Sequence, residues 1–201
     1  MKTVLFDIDS TLFDTKKFMK SADLAMAEEL KQPLEKILEV YKKYRSSITR
    51  TAFNPWDYLE TLAKEFNVDE KKLEEIFFKR ELFEQSLYPD TLATLDAMRG
   101  RYQLGTFTEA VILWQEKKLK LSGLINYFDP KITFISSNKI SPKLVTKFPA
   151  SVIIDDKPEY LEKILELRND IQVIWINRKS DKKHEKFATI HNLGKLEKVI
   201  K

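Results

Sequence analysis

Short apolar runs give the first regular signal along the chain, and polar residues bound each of them. The runs cover residues 3–6, 102–107, 132–135, 151–154 and 171–176. The last two are almost continuously apolar, as expected for strands that are covered on both faces of a sheet. The pattern therefore predicts a buried strand in each of these ranges.

Helical periodicity lies between the later runs. Apolar residues recur at helical spacing over residues 158–167, and a second helical segment at residues 91–99 is followed by Gly100. Glycine is common just beyond the last helical residue, because it adopts left-handed backbone angles without steric cost. Strands that alternate with helices predict an α/β fold with a doubly wound, mostly parallel sheet.

A different pattern fills residues 14–86, where no run resembles a strand. Four amphipathic faces follow one another there, beginning at Phe18, Leu34, Trp56 and Leu73. Apolar residues three and four positions apart are typical of helices that bury one side. We therefore predict an α/β core of residues 1–13 and 87–201, with an all-helical domain of residues 14–86 inserted into it.

Composition excludes several classes of protein. The chain has 201 residues, 43% hydrophobic and 33% charged, which suits a folded core and not a disordered chain. No run approaches the ~20 apolar residues of a bilayer span, so we expect no membrane partner. The chain has no cysteine, which excludes disulfides, thiol catalysis and cysteine-ligated metals. We expect a cytoplasmic protein.

Charge adds little to the choice of partner. The chain has 35 basic and 31 acidic residues, for a net charge of +4. The basic residues are scattered and interleaved with acids, which indicates solvated helix faces and not the single basic face typical of nucleic-acid binding. We expect no nucleic-acid partner, whereas a mildly positive protein attracts small phosphorylated molecules. The oligomeric state is left open by the sequence.

Pairs of aspartates follow two of the predicted strands. Asp7 and Asp9 end the first run, and Asp155 and Asp156 end the run at residues 151–154. Ligands bind at the carboxyl ends of strands in open α/β sheets, where these four carboxylates would meet and repel one another. A hard divalent cation offsets such repulsion, and ligation by oxygen alone favours Mg²⁺ over zinc. The alternative is that the first pair only opens a polar loop or caps the next helix.

Four segments, in order along the chain, resemble the motifs of the haloacid dehalogenase (HAD) superfamily. They are residues 6–12 (FDIDSTL), 102–108 (YQLGTFT), 139–142 (KISP) and 152–156 (VIIDD). The resemblance covers residues 1–13 and 87–201 and implies a HAD-like Rossmannoid core. The helical insert lies where HAD enzymes similar to phosphoglycolate phosphatase and β-phosphoglucomutase carry a helical cap.

The resemblance implies catalytic and metal-binding roles for three aspartates. Asp7 would be the nucleophile that forms an aspartyl-phosphate, and it would also bind Mg²⁺. Asp9 would serve as the general acid and base, while its main-chain carbonyl binds the metal. Asp156 aligns with the acid that binds the metal directly, and Asp155 would act indirectly, through water. Thr11 would support the loop that carries them.

The resemblance also implies a site for the phosphoryl group. Thr108 and Lys139 would hold the phosphoryl oxygens, whose negative charge is spread over them in the transition state. Two alternatives stay open: Thr106 for the threonine, and Lys143 for the lysine. The chain departs from the usual family pattern at Ser10 and Glu109, where glycine and asparagine are common.

We therefore expect a Mg²⁺-dependent phosphatase that hydrolyses a small phosphorylated metabolite. A phosphomutase on the same scaffold and a catalytically silent binding or regulatory protein are the alternatives. A dehalogenase is disfavoured by Asp9, because dehalogenation needs no acid two residues after the nucleophile. Within the insert, Arg45, Arg50 and Trp56 are positions where a substrate contact is conceivable, although a surface or core role is the simpler interpretation.

Overall fold

The computed structural model describes residues 1–49 and 52–201, so Arg50 lies outside the described residues. Its centre is one parallel sheet. The strands are β1 (Lys2–Phe6), β2 (Tyr102–Glu109), β3 (Thr133–Ser136), β4 (Val152–Asp155), β5 (Gln172–Ile176) and β6 (Ala188–Ile190). Within the described chain they form a six-stranded sheet in the order β3-β2-β1-β4-β5-β6. The α/β prediction is confirmed, and β6 is an addition to it.

Helices occupy most of the remaining chain. They are α1 (Thr15–Leu30), α2 (Leu34–Ser46), α3 (Pro55–Phe66), α4 (Glu70–Phe77), α5 (Arg80–Glu84), α6 (Thr91–Met98), α7 (Ile112–Leu121), α8 (Pro142–Val145) and α9 (Pro158–Leu167). The predicted helix at residues 158–167 coincides with α9. None of the helices in residues 1–49 and 52–201 is both long and apolar enough to cross a bilayer.

The chain divides into two compact units. An α/β unit contains Met1–Asp14, Leu87–Glu109 and Leu124–Lys201, and a helical unit contains Thr15–Ser86 and Ala110–Gly123. The sequence pattern predicts residues 110–123 as part of the α/β core. In the structure this segment belongs with the helices, because Trp114 on α7 packs inside the helical unit, with its ring centroid 5.8 Å from that of Phe18 and 6.0 Å from that of Phe77.

Two of the helical-unit residues named from the sequence have packing roles. Trp56 lies on α3 with its ring centroid 5.4 Å from that of Phe78. The guanidinium of Arg45 lies 5.8 Å from the ring of Phe53. Asp23 and Tyr58 add a buried polar contact, in which the tyrosine hydroxyl donates to the carboxylate at 2.9 Å.

β1 lies between β2 and β4, at the point where the order of the strands in the sheet reverses. Phe6 pairs with Thr106 on one side and with Ile154 on the other. Apolar residues on one face of these strands form a continuous core with α9, to which Leu5, Ile153 and Leu161 contribute. The carboxyl ends of β1 and β4 therefore lie side by side, where α/β sheets bind ligands.

Gly105 shows how closely this part of the sheet is packed. It pairs with Leu5, and a Cβ atom at Gly105 would lie 2.1 Å from the Ile132 carbonyl oxygen and 2.9 Å from Leu5 Cδ2. A backbone oxygen at that distance cannot rotate away as a side chain can.

We predict that Gly105→Ala lowers the free energy of unfolding by about 1–3 kcal/mol or more, the usual cost of overpacking. Urea unfolding of the variant measures the change. Gly194→Ala is the matched control, because its new Cβ would meet only the Asn192 side chain, at 3.3 Å. Equal stability of the two variants would contradict the prediction.

Candidate active site

Two aspartates lie at adjoining strand ends. Asp7 directly follows β1, and its main-chain N–H donates to the Ile154 carbonyl of β4 at 2.8 Å. Asp155 is the last residue of β4. Parallel pairing therefore brings these two acids together, although they are far apart in sequence.

Lys139 connects the two acids. Its ammonium lies 2.6 Å from Asp7 Oδ1 and 2.5 Å from Asp155 Oδ2. It also donates to the Phe107 carbonyl at 3.3 Å. Lys139 and Asp155 are fully buried and Asp7 is 4% exposed, so these charges meet away from water. Lys143, the alternative lysine, is exposed on α8.

The two consecutive aspartates after Ile154 are held differently. Both carboxylate oxygens of Asp155 have partners, since Oδ2 accepts from Lys139 and Oδ1 accepts from the Lys157 main-chain N–H at 2.9 Å. The main-chain carbonyl of Asp156 accepts from the Trp175 indole N–H at 3.0 Å. The Asp156 carboxylate lies 3.7 Å from the exposed Lys179 ammonium.

The ammonium groups of Lys139 and Lys179 do not offset this group of acids. Burial raises the pKa of Asp7 to about 7; the charge of Lys139 opposes the rise, and Asp155 and Asp156 add to it. Burial and the neighbouring Asp155 charge likewise raise the pKa of Asp156. Burial alone would lower the pKa of Lys139, but the two carboxylates beside it outweigh burial and raise that pKa. The site therefore has excess negative charge.

These acids fit a hard divalent cation. Asp7, Asp155 and Asp156 each offer a carboxylate oxygen, and those oxygens lie within 4.8 Å of one another. Asp155 is already engaged at both oxygens, which leaves Asp7 and Asp156 as the carboxylates better able to bind an ion. A set of oxygen ligands with excess negative charge suits Mg²⁺.

Asp9 lies in a tight turn after β1. The Ile8 carbonyl accepts from the main-chain N–H groups of Thr11, Leu12 and Phe13 at 3.2, 2.9 and 3.0 Å. Ser10 has a left-handed φ of 64°, which explains why glycine suits this position. Thr11 is buried, and its hydroxyl makes no hydrogen bond to another described residue.

The two candidate threonines both lie on β2. Thr106 is level with Phe6 in the sheet, and its buried hydroxyl lacks a hydrogen-bond partner among the residues described. Thr108 lies two residues nearer the carboxyl end and is 1% exposed. Thr108 therefore lies closer to the sheet edge that carries Asp7.

Two side chains near these acids were missed from the sequence. The hydroxyl of Tyr160 donates to Glu109 Oε2 at 2.5 Å, and the Tyr160 ring lies 5.3 Å from the Lys139 ammonium. Arg178 follows β5 and donates to the Thr11 carbonyl. Arg178 lies just beyond the carboxyl end of a predicted strand, which is also the position that identified the aspartates from the sequence. No sequence pattern of this kind marks Tyr160.

Comparisons with known proteins agree with this architecture. The model of the haloacid dehalogenase-like hydrolases matches residues 1–176. A curated relative, the glyceraldehyde 3-phosphate phosphatase of Methanothermobacter thermautotrophicus, is 30% identical over 142 residues, which are 66% of this chain. The aligned region spans 62% of that relative's length.

Solved structures have a similar fold. The HAD phosphatase from Thermococcus onnurineus is 25% identical, with a TM-score of 0.57 over 99% of this chain and 97% of its own. The 2-haloacid dehalogenase from Pseudomonas syringae pv. Tomato DC3000 is 19% identical, with a TM-score of 0.62 over the same shares. Because the family match runs through both aspartate pairs, the chain belongs to the haloacid dehalogenase-like hydrolases.

Proposed function

We propose that this hydrolase is a Mg²⁺-dependent phosphatase that acts on a small phosphorylated metabolite through an aspartyl-phosphate on Asp7. The observation that carries the proposal is the group of Asp7, Lys139, Asp155 and the half-buried Asp156, in which one buried ammonium and the exposed Lys179 face three carboxylates. Such a group suits a divalent cation together with a phosphoryl group. The α/β unit would carry the chemistry, and the helical unit would serve as the cap.

In the first step the Asp7 carboxylate attacks phosphorus. A bond forms between a carboxylate oxygen and phosphorus, and the bond from phosphorus to the substrate's ester oxygen breaks. The carboxyl group of Asp9 gives its proton to that departing oxygen, which leaves as an alcohol.

In the second step water cleaves the aspartyl-phosphate. The Asp9 carboxylate, deprotonated by the first step, takes a proton from water, and the water oxygen bonds to phosphorus. The Asp7–phosphorus bond breaks and inorganic phosphate leaves. Asp9 ends protonated and Asp7 ionised, so both return to their starting states.

Mg²⁺ would be held by the carboxylates of Asp7 and Asp156 and by the main-chain carbonyl of Asp9. When bound, it supplies positive charge against the negative charge of the phosphoryl oxygens. Lys139 adds a fixed ammonium, and Thr108 a hydroxyl donor, toward the same oxygens. Asp155 orients Lys139 through the 2.5 Å ion pair.

Asp9 favours phosphoryl transfer over dehalogenation. A halide leaves without a proton, whereas an alkoxide leaving group needs one. The fold alone does not decide, since it is shared with a dehalogenase and with a phosphatase. The phosphatase name of the curated relative supports a small substrate such as a triose phosphate.

We predict that Asp7→Asn reduces phosphate release to background and leaves the fold intact, because an amide is not a competent nucleophile. The assay follows p-nitrophenyl phosphate and a metabolite panel that includes glyceraldehyde 3-phosphate, with Mg²⁺ and with chelator. Asp181→Asn, at an exposed acid between β5 and β6, is the control. Undiminished turnover by the Asp7 variant would exclude Asp7 as the nucleophile.

The same assays separate the alternative functions. Halide release from a 2-haloacid by the wild type would favour the dehalogenase, and phosphate transfer between substrate positions without release would favour the mutase.

We predict that Asp156→Asn weakens Mg²⁺ binding by about tenfold or more, at least the loss typical of residues that only support a ligand. Calorimetric titration with MgCl₂ measures the affinity without any substrate. Asp181→Asn should bind as the wild type does. An unchanged affinity in the Asp156 variant would remove this residue from the ligand set.

Lys139 and Lys143 are the two candidates for the lysine that binds the phosphoryl group, so variants of the two can be compared directly. We predict that Lys143→Met keeps nearly full activity, whereas Lys139→Met loses activity and about 3–5 kcal/mol of stability, because two buried carboxylates lose their cation. Phosphate release and urea unfolding measure the two effects. Lys139→Arg keeps the charge and tests the position of the ammonium if the methionine variant folds poorly. Full activity in Lys139→Arg and in Lys139→Met would contradict the assignment.

A further inference from the structure

Arg178 makes a set of contacts that the two chemical steps do not use. It lies two residues after β5, with its side chain 11% exposed. Its Nε and Nη2 atoms both donate to the Thr11 carbonyl, at 3.1 and 2.8 Å. Its Nη1 and Nη2 atoms donate to the two carboxylate oxygens of Asp90, at 3.1 and 2.9 Å. The guanidinium lies 3.8 Å from the ring centroid of Tyr88.

The carbonyl that Arg178 contacts belongs to the turn that carries Asp9. Within this turn, the main-chain N–H groups of residues 11–13 donate to the Ile8 carbonyl. The next carbonyl, that of Leu12, accepts from the Tyr88 N–H at 3.1 Å and from the Thr91 hydroxyl at 2.8 Å. Both consecutive carbonyls at the end of the turn are therefore tied to groups outside it.

Asp90 fixes the other end of the contact. Its Oδ2 atom also accepts from the Leu193 main-chain N–H at 2.7 Å. Asp90 therefore joins Arg178 to the segment before α6 and to the chain after β6. The guanidinium joins three separate parts of the α/β unit, and two of its nitrogen atoms donate to one carbonyl of the Asp9 turn.

We propose that Arg178 is a positioning residue, which holds Asp9 in register with Asp7 by fixing the Thr11 carbonyl. The inference rests on the proposed function, because it assigns Arg178 an effect on the proton that Asp9 transfers. A planar guanidinium can serve a carbonyl and a carboxylate at once with directed N–H groups, whereas a lysine ammonium lacks that geometry. A small displacement of a catalytic group is enough to slow a reaction strongly.

The chain offers a matched control at Arg168. Its Nη1 atom donates to the Phe148 carbonyl at 2.7 Å, and its Nε and Nη2 atoms donate to Asp170 at 2.9 and 2.6 Å. Its guanidinium also lies 5.6 Å from an aromatic ring, that of Phe148. Arg168 lies between α9 and β5. It therefore makes the same kinds of contact as Arg178, but at the opposite end of β5.

The leaving group separates a positioning role from a structural one. Asp9 protonates the departing oxygen, and an alkyl phosphate needs that proton more than p-nitrophenyl phosphate does. We predict that Arg178→Lys and Arg178→Gln lower kcat/KM for an alkyl phosphate about 10–100-fold, and lower it clearly less for p-nitrophenyl phosphate. Arg168→Lys and Arg168→Gln should change both substrates equally and slightly. Thermal unfolding of all four variants shows how much of any loss is due to stability.

Amide hydrogen exchange tests the same proposal without catalysis. Exchange at residues 9–13 should quicken in the Arg178 variants and stay unchanged in the Arg168 variants. Wild-type activity in Arg178→Lys, an equal loss on both leaving groups, or unchanged exchange at residues 9–13 would overturn the positioning role. If the wild type itself hydrolyses no phosphate ester, the proposed function fails, and the exchange result still decides whether Arg178 fixes the turn.

Discussion

The buried contact of Lys139 with Asp7 and Asp155 is the interaction on which the rest of the site depends. Isolated charges are costly to bury, and this ammonium is fully buried with carboxylates at 2.6 and 2.5 Å. Only the pairing of β1 with β4 brings the two acids close enough to share one cation. Burial, together with the neighbouring acids, raises the pKa values of Asp7 and Asp156. The three carboxylates that lie within reach of one another make the site suitable for a divalent cation.

The sheet was largely predictable because its central strands are covered on both faces. Such strands are continuous apolar runs, and β1, β4 and β5 each contain one. β2 and the half-buried edge strand β3 are interrupted by polar residues, and shorter apolar stretches marked them. β6 has no such run, since Ala188 and Thr189 are only half-buried and pair with β5 alone. The apolar face predicted from Leu73 onward is split between α4 and α5, because Lys79 adopts a non-helical backbone between them. The break between α4 and α5 is only two residues long, so the spacing of apolar residues in the sequence does not reveal it.

The site was predictable where it follows from strand ends and obscure where it depends on tertiary contacts. Asp7 and Asp155 could be placed together because parallel strands share an edge. Only the resemblance to the family motif favoured Lys139 over Lys143 in the sequence, since both flank the start of α8. Burial and the contacts with Asp7 and Asp155 distinguish Lys139 in the structure. Arg178 stood two residues past a predicted strand, but its contacts with Thr11 and Asp90 join segments far apart in sequence.

Lys139 and Arg178 stabilise different parts of one site. Lys139 places a positive charge between two carboxylates. Arg178 holds the backbone, because two of its nitrogen atoms donate to a carbonyl of the turn after β1. In the proposed mechanism, the nucleophile would need the first of these, since Asp7 must be ionised to attack. The proposed proton transfer would need the second, since Asp9 lies in a turn and not in a strand. In the proposed mechanism, the leaving group that the site can protonate therefore depends on the turn, whereas the charge of the nucleophile depends on the buried ion pair.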